Sequence, residues 1–173
     1  MPSMSDSTPP TSPATASSTG PAEGEEAPDF TLLDQHGEPL TLSSLRGSKV
    51  ILYFYGEAGT PACTGQACDF RDRLDAFASE GYRVVGVSRD EVPKIARMAE
   101  KERLGFPLLS DPDHAVHDRY GAFGEKQLYG RTVTGVIRCT YVLDEHGVVT
   151  LALRNIKATG HVAMLRKKLG LAA

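Results

Sequence analysis

Val50-Ile51-Leu52-Tyr53-Phe54-Tyr55 is an unbroken apolar, β-rich run, and after Gly56–Gly59 it leads into Thr60-Pro61-Ala62-Cys63-Thr64-Gly65-Gln66-Ala67-Cys68. The first run reads as a strand buried on both faces. The second reads as the start of a helix. Proline fixes a φ that suits the first helical residue and lacks an N–H that is not needed there. Thr60 is then the N-cap, its hydroxyl available to a first-turn amide. Cys63 falls in the opening turn, where free backbone N–H groups and the positive end of the helix dipole favour an anion. A thiolate is such an anion, and cysteines so placed drop below their free pKa of about 8.5. Ala67, Phe70, Leu74 and Phe77 recur at the three-and-four spacing of a buried stripe, and Cys63 lies on its upstream extension.

Cys68 is five residues on, roughly 140° round a helix and about 7.5 Å further along its axis. Its face carries Arg71, Asp72, Asp75 and Ser79, a solvated set. A disulfide needs Cα atoms within about 7 Å and converging Cβ vectors. The pair therefore cannot bridge while the helix is intact. The bland alternative is that both cysteines are inert packing groups. A zinc site fits less well, since four residues separate the pair and no neighbouring histidine or second cysteine pair completes a ligand set.

Outward from this stretch, the 173 residues are 40% hydrophobic, carry a net charge of −3 and have a pI near 5.9. The one dense basic run is Arg166-Lys167-Lys168. That balance argues against a nucleic-acid groove or a membrane-surface patch, and no apolar run approaches the length of a membrane span. Three cysteines do not make a secreted disulfide framework and suit a reducing compartment. Residues 1–26 are rich in Ser, Thr, Pro, Ala and Gly and read as a disordered tail, leaving 27–173 as one domain. The tail lacks the basic start and apolar core of a secretory signal and the arginines of a transit peptide. A cytoplasmic location is the expectation.

Within the domain, Phe30–Leu33 and Leu40–Leu42 flank a turn-rich loop and read as a hairpin. Ser43–Gly47 reads as a short helical turn, Tyr82–Val87 as a second buried strand, Glu91–Leu104 as a helix and Pro107–Leu109 as a strand. A short helix follows over Ala115–Tyr120, and the four glycines of Gly121–Gly135 suggest a loop. Val136–Leu143 and Val148–Leu153 form a hairpin, and a last helix runs from about Gly160 to Leu169. Strands alternating with helices and ending in a hairpin give an α/β sandwich with a mixed sheet.

Arg138 interrupts the apolar strand Val136–Leu143. A buried guanidinium must be paired. It either helps to hold a thiolate and an oxygen-bearing substrate or is a strand-end arginine bonded to a carboxylate or carbonyl. Cys139, on the opposite strand face, reads as a small buried hydrophobe. His114 and His117, at i, i+3, lack a third ligand and read as surface histidines, as do His36, His146 and His161 at turns or a helix start.

Taken together, these blocks resemble a peroxiredoxin of the bacterioferritin-comigratory-protein (PrxQ) type. The resemblance runs from Ala27-Pro28-Asp29-Phe30 through Thr60-Pro61…Cys63-Thr64…Gln66-Ala67-Cys68-Asp69-Phe70-Arg71-Asp72, Phe106–Asp111 and Gly124-Glu125-Lys126 to Gly135…Arg138. It implies a thioredoxin-like fold: a central mixed β-sheet flanked by helices, with an N-terminal β-hairpin. It further implies that Cys63 is the peroxidatic and Cys68 the resolving cysteine, joined as an intramolecular disulfide during turnover. Thr60 and Arg138 match the peroxide-site residues. The implied activity is reduction of hydrogen peroxide and organic hydroperoxides without metal or flavin, recycled by thioredoxin or a similar dithiol protein, in a monomer. The family's site motif opens on proline where this chain has Gly56, which frees the loop backbone. Phe123 stands where relatives often have tryptophan, a packing variant. Two other classes use the same thiol: a redox sensor that binds a partner, and a thiol–disulfide oxidoreductase acting on proteins, for which Cys-x-x-Cys spacing is usual.

Overall fold

The computed structural model describes residues 20–128, 130–154, 156 and 160–170. Its strands are β1 (Thr31–Leu33), β2 (Pro39–Thr41), β3 (Lys49–Phe54), β4 (Tyr82–Ser88), β5 (Leu108–Ser110), β6 (Phe123–Leu128), β7 (Arg131–Val136), β8 (Cys139–Leu143) and β9 (Val149–Leu153). The helices are α1 (Pro61–Asp72), α2 (Leu74–Ser79), α3 (Val92–Glu102), α4 (Ala115–Arg119) and α5 (His161–Lys168), with a 3-10 turn over Leu42–Leu45. A seven-stranded sheet has the order β2-β1-β5-β4-β3-β8-β9. β3, β4 and β5 run parallel, whereas the other pairings are antiparallel, so the sheet is mixed as expected.

The run Val50–Tyr55 behaves as its composition dictates. Ile51, Tyr53 and Tyr55 point to one face, joining Phe70, Phe77, Ile95, Val162 and Leu165. Val50, Leu52 and Phe54 point to the other, joining Val85, Val87, Tyr120 and Tyr141. Tyr53 anchors α1 to the sheet through a stacked ring contact with Phe70, centroids 4.6 Å apart. It spreads over Gly86, its neighbour on β4, where a Cβ would sit 2.9 Å from the tyrosine ring. Only glycine leaves that room. Tyr53 thus fixes the height of α1 above the sheet, and α1 starts just past the carboxyl end of β3.

Four expectations change. The cysteine helix is not continuous to Ser79, because Arg73 leaves helical geometry at φ −110°, ψ 9° and separates α1 from α2. Gly121–Gly135 is not a loop but contains the β6–β7 hairpin, in which Gly124 pairs with Gly135 and Gly130 supplies the turn at φ 77°. Thr132, Val133, Thr134 and Val136 favour strand, and their propensity outweighs the glycines. The strand Val136–Leu143 is broken at Ile137 and Arg138, so Arg138 precedes β8 rather than lying inside it. Finally, the boundary after residue 26 falls inside the fold. Gly24 N–H donates to the Val149 carbonyl, Glu26 bridges to Val148, and Arg154 donates to the Pro21 carbonyl at 2.9 Å. Residues 1–19 of the tail lie outside the described residues. No helix among the described residues is long and apolar enough to cross a membrane.

Candidate active site

Thr60 has the extended backbone of an N-cap, at φ −75° and ψ 151°, and Pro61 is the first helical residue. The hydroxyl does not cap the helix, however. It donates to the Glu57 carbonyl at 2.9 Å, drawing the loop before the helix into a tight turn. Ala58 N–H donates to Asp90 Oδ2 at 2.6 Å, and Lys94 pairs with Glu57, which tie the same loop to the segment after β4 and to α3. The loop so held delivers Cys63 to the third position of α1, facing inward and 2% exposed.

Arg138 reaches it from the far side. Cys139 pairs with Phe54, so β8 begins where β3 ends and the residue before it lies above the carboxyl end of the sheet. The Arg138 carbonyl accepts from Ile156 N–H at 3.0 Å, and Ile137 N–H donates to the Ala122 carbonyl at 2.7 Å. Those two bonds set the bend between β7 and β8. From it the guanidinium places Nη2 3.3 Å from Cys63 Sγ and Nη1 2.6 Å from Gln66 Oε1. Among the described residues no carboxylate forms an ion pair with Arg138. Its guanidinium is met instead by the cysteine sulfur and the Gln66 carbonyl oxygen.

The two thiols on α1 are tuned in opposite directions. Burial pushes the Cys63 thiol up, but the Thr60 hydroxyl, the Glu57 backbone and Arg138 together hold it below the ordinary cysteine value. The Thr60 hydroxyl carries one proton, here given to the Glu57 carbonyl; rotation about its C–O bond would turn that proton to the sulfur instead. Cys68, partly buried, is raised by burial and by Glu102, to whose Oε1 its thiol donates at 3.3 Å. Its face meets the end of α3 rather than open solvent alone, and Arg71 donates to the Glu102 carbonyl beside it. Both thiols are free.

Cys139 is fully buried in the cluster on the other face of the sheet, as a small core residue. Of the histidines, His36 and His146 are exposed in turns. His117 corrects the surface reading: it is buried against Asp111, Nδ1 to Oδ2 2.7 Å, where the aspartate also receives amides of α4. His161 corrects it too, being 1% exposed with Nδ1 2.9 Å from Gln66 Nε2. Gln66 and His161 are the site residues that sequence reasoning missed. The available signal was a glutamine on the buried stripe, three residues beyond Cys63.

Gly56 borders the sulfur. A Cβ added there would lie 3.9 Å from Cys63 Sγ and 4.0 Å from Arg138 Nη2, in ordinary contact. Gly56→Ala therefore covers part of the sulfur without a clash and removes unfolded-chain entropy. It is expected to stabilise the protein by about 0.5 kcal/mol and to raise the peroxide dose that drives Cys63 to the sulfinic acid. Thermal melts and intact mass after graded peroxide treatment check both.

A thioredoxin-like sheet carrying an acidified thiol at a helix start defines a thiol-dependent redox protein. The model of the AhpC/TSA family matches residues 24–152, and the chain belongs to that family. It is 54% identical over 146 residues to a putative peroxiredoxin of Mycobacterium tuberculosis, covering 84% of this chain and 93% of the relative. It is 42% identical over 138 residues to peroxiredoxin Bcp of Escherichia coli, covering 80% and 88% respectively. Peroxiredoxin Q of Xanthomonas campestris superposes with a TM-score of 0.76 at 34% identity, over 82% of this chain and 90% of that one. Within the family the protein is a peroxiredoxin of the Bcp/PrxQ type.

Proposed function

We propose that Cys63 is the peroxidatic cysteine, Cys68 the resolving cysteine, and Thr60 and Arg138 the groups that position peroxide. The observation that carries this reading is the 3.3 Å approach of Arg138 Nη2 to a sulfur whose thiol is held below its ordinary value. The thiolate attacks one oxygen of the hydroperoxide, an S–O bond forms and the O–O bond breaks. The departing oxygen takes a proton and leaves as water or an alcohol, and Cys63 becomes a sulfenic acid. Arg138 and the Thr60 hydroxyl offset the negative charge that grows on the departing oxygen.

The first turns of α1 then unwind, because two cysteines five residues apart on a helix cannot bond. Cys68, freed from Glu102, attacks the Cys63 sulfur; a disulfide forms and water leaves. A dithiol protein of the thioredoxin type reduces it by exchange, itself becoming a disulfide. The raised thiol of Cys68 suits this order, since it keeps the second sulfur protonated until the first has reacted. A reducing, cytoplasmic setting and a monomeric protein accord with this chemistry.

Cys68→Ser tests the assignment. The variant is expected to undergo one oxidation of Cys63 at the parent rate, yet to lose cycling supported by thioredoxin, thioredoxin reductase and NADPH. Full thioredoxin-dependent turnover by Cys68→Ser would show that another thiol resolves the sulfenic acid.

A further inference from the structure

The guanidinium at Cys63 is itself held from behind. Gln66 is 1% exposed and accepts from Arg138 Nη1 at 2.6 Å, while its amide nitrogen lies 2.9 Å from His161 Nδ1. A guanidinium can only donate, so the Gln66 atom that faces it must be the oxygen. The amide nitrogen then faces His161, and it too can only donate. Nδ1 must therefore present its lone pair, which leaves the ring proton on Nε2. Every link has one polarity: His161 accepts, Gln66 donates and accepts, Arg138 donates, and the Cys63 sulfur accepts.

We propose that His161 is a positioning residue of the peroxide site, whose Nδ1 lone pair orients the Gln66 amide and thereby holds the Arg138 guanidinium on Cys63. The proposal rests on the reading of Cys63 as the peroxidatic cysteine. It assigns a role to the first residue of α5, a helix at the far end of the chain from α1.

Packing alone does not account for an imidazole here. The ring is 1% exposed and edge-on to Phe70, centroids 5.9 Å apart. Its Nε2 has no hydrogen-bond partner among the described residues. Leucine or phenylalanine would avoid the cost of that unpaired N–H. Among the described residues, the groups that bond, stack or act by charge on the ring are Gln66 and Phe70 from α1 and Arg138 from the β7–β8 bend, and none of these carries negative charge. Burial and the Arg138 charge push the imidazole pKa down to about 4, so the lone pair persists at neutral pH. A protonated ring would set N–H against N–H, turn the Gln66 amide over and present its nitrogen to Arg138.

His161→Leu and His161→Asn separate this role from packing, because the asparagine Oδ1 can stand close to where Nδ1 stands and can accept. Cys63 alkylation against pH, single-turnover peroxide rates and thermal melts are read on both variants and on the parent. The leucine variant is expected to raise the Cys63 pKa and slow peroxide attack about tenfold, because a Gln66 amide no longer held by His161 ceases to fix the charged Arg138 guanidinium. The asparagine variant is expected to recover most of that loss. In an Arg138→Ala background, His161→Leu should add no further slowing. A folded leucine variant with the parent pKa and rate overturns the proposal, as does equal loss in both variants. Imidazole ¹⁵N spectra of the unaltered protein decide independently of any folding defect. A neutral Nε2–H tautomer across about pH 5–8 supports the proposal, and an Nδ1–H form overturns it. Peroxidase activity surviving in Cys63→Ser would instead remove the underlying reading, so the two failures are told apart.

Discussion

Cys63→Ser is expected to abolish peroxide reduction while leaving the fold intact. A serine hydroxyl is not ionised near neutral pH, even with a guanidinium 3.3 Å away, so no anion is present to attack the O–O bond. Serine fills nearly the volume of cysteine, and its hydroxyl finds a donor in Arg138. The buried position should therefore tolerate the change within about 1 kcal/mol. The measurement pairs hydrogen peroxide consumption in the thioredoxin-coupled assay with a thermal melt. Turnover above the uncatalysed background in a protein that melts like the parent would move the chemistry to another sulfur, and Cys68 would be the next to test.

Arg138→Ala has the second largest expected effect and separates two contributions. Removing the guanidinium takes away the charge that stabilises the thiolate, so the Cys63 pKa rises toward its ordinary value. The sign follows directly: a raised pKa means less thiolate at neutral pH, and raising the pH restores it. Removing the guanidinium also takes away the group that meets charge on the departing oxygen, a loss that no rise in pH repairs. The rate constant for peroxide attack should fall about 10²–10³-fold at neutral pH and recover only in part as the pH increases. Stopped-flow oxidation across pH, set beside alkylation rates, reads the two parts. Complete recovery at high pH would confine Arg138 to tuning the thiol. Unchanged profiles would remove it from the site.

Much of the site was legible locally. The apolar run Val50–Tyr55 predicts a strand buried on two faces, and Thr60-Pro61 predicts a helix start, because β-propensity and the fixed φ of proline act within a few residues. The stripe Ala67, Phe70, Leu74 and Phe77 predicts that Cys63 turns inward, since a helical period needs no tertiary information. Capping logic assigns the Thr60 hydroxyl to a first-turn amide, but a loop carbonyl competes for it and the Glu57 carbonyl wins. The glycines of the β6–β7 hairpin suggest a loop, but glycine count is a weaker guide than cross-strand pairing. Local sequence places His117 and His161 at the surface, because burial of a polar ring depends on a partner elsewhere in the chain.

Sequence alone therefore determined which sulfur sits at a helix start, which way it faces, and that its mate lies too far round the helix to bond with it. Only the tertiary structure decided what those sulfurs meet. Arg138 is 75 residues from Cys63 in the chain, His161 is 95 from Gln66, and Glu102 is 34 from Cys68. Periodicity and capping act over one or two turns. The acidity of a thiol, by contrast, is set by charges and donors that only the packing of the β7–β8 bend, α3 and α5 around α1 brings within reach.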